Sequence, residues 1–158
     1  MSDLKKALES LGFNDIKTLL NSGNVVFMAK ETTLSLLTQQ IEKTLAKTFG
    51  FTVPVLIRTK KEIQELVDSQ PFKAITVTPE TRLYMTFLSE KPKSALKIPY
   101  ESENKGFRIL RVSDHEICSA VIPSPTNGTL DMMSFLEKEF GKNVTTRNWN
   151  TVVKLAAL

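Results

Sequence analysis

Phe107-Arg108-Ile109-Leu110-Arg111-Val112-Ser113-Asp114-His115-Glu116-Ile117-Cys118-Ser119-Ala120-Val121-Ile122 decides the fold. Two apolar-rich runs, Phe107 to Val112 and Ile117 to Ile122, flank four polar residues, and that spacing predicts a β-hairpin. Upstream, Leu83, Met85 and Phe87 alternate as a strand. Pro92 to Lys97 reads as one or two helical turns stopped by Pro99. Downstream, beyond Pro123 to Gly128, the residues Leu130, Met133, Leu136 and Phe140 recur at helical spacing and end at Gly141. Asn143 to Thr146 then reads as a short extended piece that enters a final helix. The order of elements is βαββαβ, closed by a helix.

The preceding half follows the same plan from its second element onward. Leu4, Leu8 and Leu11 predict a helix over residues 3–11, with Gly12 as its stop. Ile16 to Leu20 and Val25 to Met28 read as strands joined by Asn21-Ser22-Gly23-Asn24, where the glycine suits a tight turn. Leu34, Leu37, Ile41, Leu45 and Phe49 mark a long helix opened by Thr32 or Thr33 and closed by Gly50. Val53, Val55 and Ile57 alternate as a strand, with Pro54 pointing to an edge. Thr59-Lys60-Lys61-Glu62 has the form of a capping box, opening a short helix that carries Ile63, Leu66 and Val67. The expected fold class is α+β: two ferredoxin-like (split βαβ) units in tandem, the first lacking its opening strand, plus a C-terminal helix. The expected division is residues 1–70, a connection at 71–81 containing Pro71 and Pro79, and residues 82–158.

The 158 residues are 41% hydrophobic and 24% charged, the balance of an ordinary globular chain. Lys and Arg number 21 against 17 Asp and Glu, and this net +4 is scattered rather than gathered on one segment. Such a surplus gives little support to nucleic-acid binding. Only after Lys142 do Arg147 and Lys154 stand without acidic neighbours in the sequence. Cys118 is the single cysteine, which excludes an intramolecular disulfide. No apolar run approaches the ~18 residues of a membrane span. Met1 to Lys6 has no apolar signal core, so the expected location is the cytoplasm, with no membrane partner.

Hydrogen-bonding side chains are densest in Thr145-Thr146-Arg147-Asn148-Trp149-Asn150-Thr151, which holds the only Trp. With Asn148 as N-cap, its side-chain oxygen accepts a first-turn amide, and Trp149, Val152, Val153 and Ala156 share one face. Arg147 and Asn150 then stand near a helix N-terminus that carries no acid. This pattern suits phosphate, carboxylate or a nucleic-acid backbone, with Trp149 as a stacking surface. The structural alternative is a capped helix anchored by Trp149, with Arg147 paired to a carboxylate elsewhere. A second candidate is the turn residues Asn21, Ser22 and Asn24, although Asn and Gly are also what such a turn requires. Ser22 has no base near it in sequence, and a strand follows it where a nucleophile elbow needs a helix. His115 and Cys118 are three apart and so face opposite sides of a strand, with no further Cys or His to complete a metal set. Lys105-Gly106-Phe107 resembles the opening of an RNA-recognition strand, but Arg108-Ile109-Leu110-Arg111 lacks the second stacking aromatic. No carboxylate pair suggests catalysis: Glu137 and Glu139, two apart on a helix, face differently. No catalytic residue, metal or cofactor is assigned.

Three segments together resemble the DUF1697 proteins, a bacterial family of unknown function. They are the helix from Leu4 to Gly12, the hairpin Ser22-Gly23-Asn24-Val25-Val26-Phe27, and Thr145-Thr146-Arg147-Asn148-Trp149-Asn150-Thr151-Val152. The resemblance implies a tandem ferredoxin-like α+β protein without an established enzymatic activity or cofactor. Members of that family begin with a strand and a turn of the form Leu-Arg-Gly-Ile-Asn-Val-Gly-Gly, whereas this sequence starts at the following helix. In a ferredoxin-like sheet that strand is central, and without it each buried orphan backbone group costs roughly 1–3 kcal/mol. A start assigned late, a trimmed chain, or a neighbouring chain filling the gap would each account for the difference. The glycine-rich turn would have bordered Asn21, Ser22 and Asn24 and formed a natural anion site. The leading expectation is a non-catalytic binding protein for an anionic small molecule or nucleic-acid segment, with Arg147, Asn148 and Asn150 as donors. The rivals are an enzyme that acts on a phosphorylated substrate through the glycine-rich loop, and an interaction module that self-associates through an open sheet seam.

Overall fold

The computed structural model describes residues 2–19, 23–122 and 129–158. They divide into two units, Met1–Thr59 with Ala157–Leu158, and Lys60–Ala156. Met1, Leu20, Asn21, Ser22 and Pro123 to Gly128 lie outside the described residues, as do the side chains of Ser2 and Leu130.

In the first unit, helix α1 (Ser2–Glu9) buries Ala7 and Leu8 and gives way to a turn at Gly12, whose φ of 83° suits glycine. Strands β1 (Asn14–Leu19) and β2 (Asn24–Met28) form an antiparallel hairpin, with Thr18 opposite Val25 and Leu19 opposite Asn24. Helix α2 (Leu34–Phe49) is capped at both ends. Thr33 Oγ1 accepts the Leu36 amide at 3.2 Å, and Gly50 at φ 79° returns its amide to Ala46. Its buried stripe is Leu37, Ile41 and Leu45, while Leu34 stays exposed in the first turn. Phe13 stacks on Phe27 at 4.6 Å beneath this helix, in the same core.

The strand expected at Val53 to Ile57 does not form. Val53, Val55 and Ile57 nevertheless pack into the same core as Val25 and Phe27, so the alternation that suggested a strand reflects real inward packing. A strand also needs a ladder partner, and the two-stranded sheet β1-β2 supplies none to this segment. The Val55 amide donates instead to Glu42 Oε1 on α2, at 3.0 Å.

The second unit begins with α3 (Lys60–Asp68) and continues through β3 (Arg82–Leu88), β4 (Tyr100–Glu101), β5 (Phe107–Val112) and β6 (Glu116–Val121). It ends with α4 (Thr129–Phe140), β7 (Val144–Asn148) and α5 (Trp149–Ala157). The strands form one antiparallel sheet in the order β4-β5-β6-β3-β7. The expected hairpin is β5–β6, and Ser113 Oγ fixes its turn by accepting the Glu116 amide at 3.0 Å. Pro92 to Lys97 forms no helix. Prolines at 92 and 99 restrict their neighbours, and the residues between offer no apolar stripe to bury. That segment instead delivers the short strand β4, whose Tyr100 lies opposite Ile109. Strand β7 runs to Asn148, two residues further than expected, because Met85 and Tyr84 provide ladder partners for Arg147 and Asn148.

Helix α4 covers one face of this sheet. Met132 and Leu136 are fully buried against Phe107, Ile109, Ile117 and Val121, and Phe135 stacks on Tyr100 at 4.7 Å. The periodicity that pointed to Met133 missed Met132, which is the more deeply buried of the two. The protein is therefore a mixed α+β chain with five helices and two antiparallel sheets among the described residues.

Candidate anion-binding site

Strand register decides which side chains share a face, since successive residues alternate and direct partners agree. Ile109, Ile117, Val121 and Phe107 face α4. Their neighbours therefore face away from it. Met85 lies opposite both Cys118 and Arg147, and Cys118 lies opposite Arg111, giving a transverse row Arg147–Met85–Cys118–Arg111. The adjacent row pairs Leu83 with Ala120, and Ala120 with Arg108. In a regular strand Arg108 and Arg111, three apart, would point to opposite faces. The register shift between Ile109 and Arg111 inserts Leu110 as an extra residue and returns Arg111 to the face of Arg108. One face of the sheet thus carries Arg108, Arg111 and Arg147.

This face is not open throughout. Met85 and Cys118 are buried in its centre, with Cys118 Sγ 3.6 Å from Met85 Sδ. Residues 69–81 approach it: Arg111 Nη2 donates to Ser69 Oγ at 3.2 Å. Burial pushes the Cys118 thiol up to about 11, and the nearby Arg111 guanidinium only partly offsets this. Cys118 is thus a protonated core residue, and His115 sits apart from it in the exposed hairpin turn. Among the described residues no group of three His, Cys, Asp or Glu is placed to hold a metal ion.

At the β7 end, Arg147 is half-buried and donates through Nη1 to the Thr146 carbonyl at 3.0 Å. Burial lowers its pKa, because charge is held less comfortably away from water. Asn148 is the exposed N-cap of α5: its Oδ1 accepts the Asn150 amide at 2.9 Å. Asn150 is exposed, and Trp149, half-buried, meets Phe72 edge-on at 5.2 Å. The buried stripe of α5 is Thr151, Val152 and Ala156. Val153, expected on that stripe, is exposed, because its position at 100° beyond Val152 turns it outward.

At the β5 end lies a cavity of about 250 Å³, bounded by Ala74, Ile75, Thr76 and Thr81 on one side and the β5–β6 strands on the other. Thr76, Thr81, Lys105, Arg108, Leu110 and Ile122 are among its lining residues. The turn at its lip is built by side chains. Ser102 Oγ donates to Asn104 Oδ1 at 2.8 Å and accepts the Phe107 amide at 3.1 Å, and the Gly106 amide reaches the same Asn104 oxygen at 3.0 Å. These bonds hold Lys105 at φ 57°, in the left-handed region. Arg108 makes a single 3.8 Å contact with Glu101, and both side chains are about half exposed, so the pair is weak.

The remaining sequence candidates belong to the first unit. Asn24 is buried, and its Nδ2 donates to the Leu19 carbonyl at 3.2 Å, a turn-closing role. Asn21 and Ser22 lie outside the described residues. The sequence reading missed Arg108, Arg111 and Lys105. The signal for Lys105 was the run Ser102-Glu103-Asn104-Lys105-Gly106, a turn former that also carries a cation. Nothing in the sequence marked the bulge.

The family description "Protein of unknown function (DUF1697)" matches residues 1–117. The chain belongs to the DUF1697 family. In this DUF1697 member, Lys105, Arg108 and Arg111 fall within the matched residues, whereas Arg147, Asn148, Trp149 and Asn150 lie beyond them. No curated protein and no solved structure matches the chain. Among its described residues, no helix is long and apolar enough to cross a membrane.

Proposed function

We propose that this protein binds an anionic small molecule, without catalysis, on the arginine-bearing face of its five-stranded sheet. One observation carries the reading: strand register together with the bulge at Leu110 gathers Arg108, Arg111 and Arg147 on the face away from α4. Guanidinium groups offer forked donors matched to phosphate and carboxylate, so three on one face favour such ligands. Trp149 and Asn150, at the start of α5, would complete the Arg147 end of the surface, whereas Asn148 pairs with Tyr84 of the α4-facing row and serves as the α5 cap. Met85 and Cys118 lie buried between the arginines, which favours a small molecule over a nucleic-acid strand that needs an open track. The test is a melting curve with inorganic pyrophosphate at fixed ionic strength. Saturating pyrophosphate raises the midpoint by about 5 °C. The double variant Arg111→Gln, Arg147→Gln loses more than half of that rise; an equal rise in both proteins, or none in either, overturns the reading.

The same unit reads as one split βαβ unit. What supports this is the antiparallel order β5-β6-β3-β7, with α4 as the second crossover and a helix-free first crossover. The tandem arrangement extends the reading to the first unit, where β1, β2 and α2 supply the matching elements.

A second functional reading concerns the first unit: self-association through an open strand edge. It is favoured by the pairing of β2 on one side only, and by Val53, Val55 and Ile57 entering the β2 core without joining a ladder among the described residues. Light scattering over a concentration series tests it. A mass rising toward twice 17.7 kDa supports the reading, and a constant monomer mass removes it.

A further inference from the structure

We propose that the cavity at the β5 end takes a small amphiphilic carboxylate, its head group on Lys105 and Arg108 and its apolar body along Leu110, Ala120 and Ile122. The inference rests on reading the arginine face as anion-binding, and it names where on that face the ligand sits and what class it belongs to. Four observations converge. The lining is mixed: two cations and the hydroxyl-bearing Thr76 and Thr81 stand with a floor of Leu110 and Ala120. A purely ionic ligand would leave that floor without a partner, and a purely apolar one would make no use of the two cations.

Size is the second observation. About 250 Å³ lies just under the ~300–1,000 Å³ of ordinary small-molecule sites, so the ligand is short. Third, the rim is apolar. Ile122 lines the cavity at 50% exposure, so a chain leaving the cavity would cover it. Fourth, Lys105 occupies a left-handed backbone position that glycine would take with less strain, while the glycine stands one residue later. The side chains of Ser102 and Asn104 hold that turn through three hydrogen bonds, which fixes the lysine backbone at the cavity lip. Thr81 has less to offer a ligand than Thr76, because its Oγ1 already bonds Thr78 at 3.0 Å.

Sodium octanoate and 1-octanol distinguish the head-group and body contributions, because they share a chain and differ in charge. Calorimetric titration of the full chain at fixed ionic strength shows saturable octanoate binding at least tenfold tighter than octanol. The double variant Lys105→Gln, Arg108→Gln weakens octanoate at least tenfold and leaves octanol unchanged. Arg82→Gln, in the row that faces α4, leaves both unchanged. Filling the site through the exposed Ala74, as Ala74→Phe, abolishes both while circular dichroism stays native. Equal affinity for octanoate and octanol, an unaffected double variant, or no saturable octanoate binding overturns the proposal. If octanoate fails while pyrophosphate still raises the melting point through Arg147, only the cavity assignment falls. If both fail, the anion-binding reading falls with it.

Discussion

The two faces of the five-stranded sheet are made from the same strands and solve opposite problems. The face toward α4 is apolar, with Met132 and Leu136 buried among Ile109, Ile117 and Val121. Its polar side chains are mostly paired internally: Thr86 with Thr146 at 2.8 Å, and the Tyr84 hydroxyl with Thr129 at 2.9 Å. The opposite face keeps a buried strip of Met85, Cys118 and Ala120 but places arginines on both sides of it. One face therefore holds the unit together, and the other combines support with exposed cationic chemistry. What separates them is register, since a one-residue change moves a side chain from one role to the other.

The largest effect expected from this contrast is on the α4 face. Leu136→Ala removes a fully buried side chain from the centre of the packed core and destabilises the protein by about 2–5 kcal/mol in denaturant unfolding. A loss below about 1 kcal/mol would show that α4 is not the principal cover of this sheet. Next comes Cys118, at the centre of the other face. Its thiol is raised from 9.0 to about 11, so its contribution to stability is full below pH 9 and is lost as pH rises from 9 to 11. Wild type accordingly loses at most about 2–3 kcal/mol over that window beyond any loss in Cys118→Val, read from unfolding curves at each pH. Parallel curves would place the thiol in water.

Ser119 sharpens the comparison from within the α4 face. Its hydroxyl is wholly buried and finds no hydrogen-bond partner among the described residues. Ser119→Ala removes that orphan and is neutral or stabilising by up to about 1 kcal/mol, whereas a clear loss would reveal a hidden partner such as ordered water. Smallest of all is Arg108→Gln. Its ion pair is half-exposed and long, so stability changes by less than about 1 kcal/mol. A larger loss would give that arginine a structural role and weaken its assignment to a ligand.

Much of this architecture was legible in sequence where one residue type does one job. The β5–β6 hairpin announced itself by two apolar runs around four polar residues. Helix α2 did so through Thr32 or Thr33, the stripe from Leu34 to Phe49 and Gly50, and Thr33 is the cap that forms. Asn148 was readable as a cap because its side chain and helix start are local. The failures share a cause, which is dependence on a partner distant in sequence. Val53, Val55 and Ile57 have strand alternation but no ladder, and Pro92 to Lys97 has helix-compatible residues, but its half-buried Leu96 alternates with Ile98 rather than sharing a helical face with it. Arg147 could be placed near a helix, yet its sheet face follows only from pairing with Met85. The bulge at Leu110 is the extreme case. A regular strand would have separated Arg108 from Arg111, so the alternation rule by itself argued against the surface they share.

Arginine Nε–Hε resonances test that surface directly. In a titration with pyrophosphate at fixed ionic strength, the signals of Arg108, Arg111 and Arg147 shift together along one saturable curve, while that of Arg82, in the row facing α4, stays in place. Equal linear drift of all four signals would mean nonspecific screening of charge and would contradict an anion-binding face.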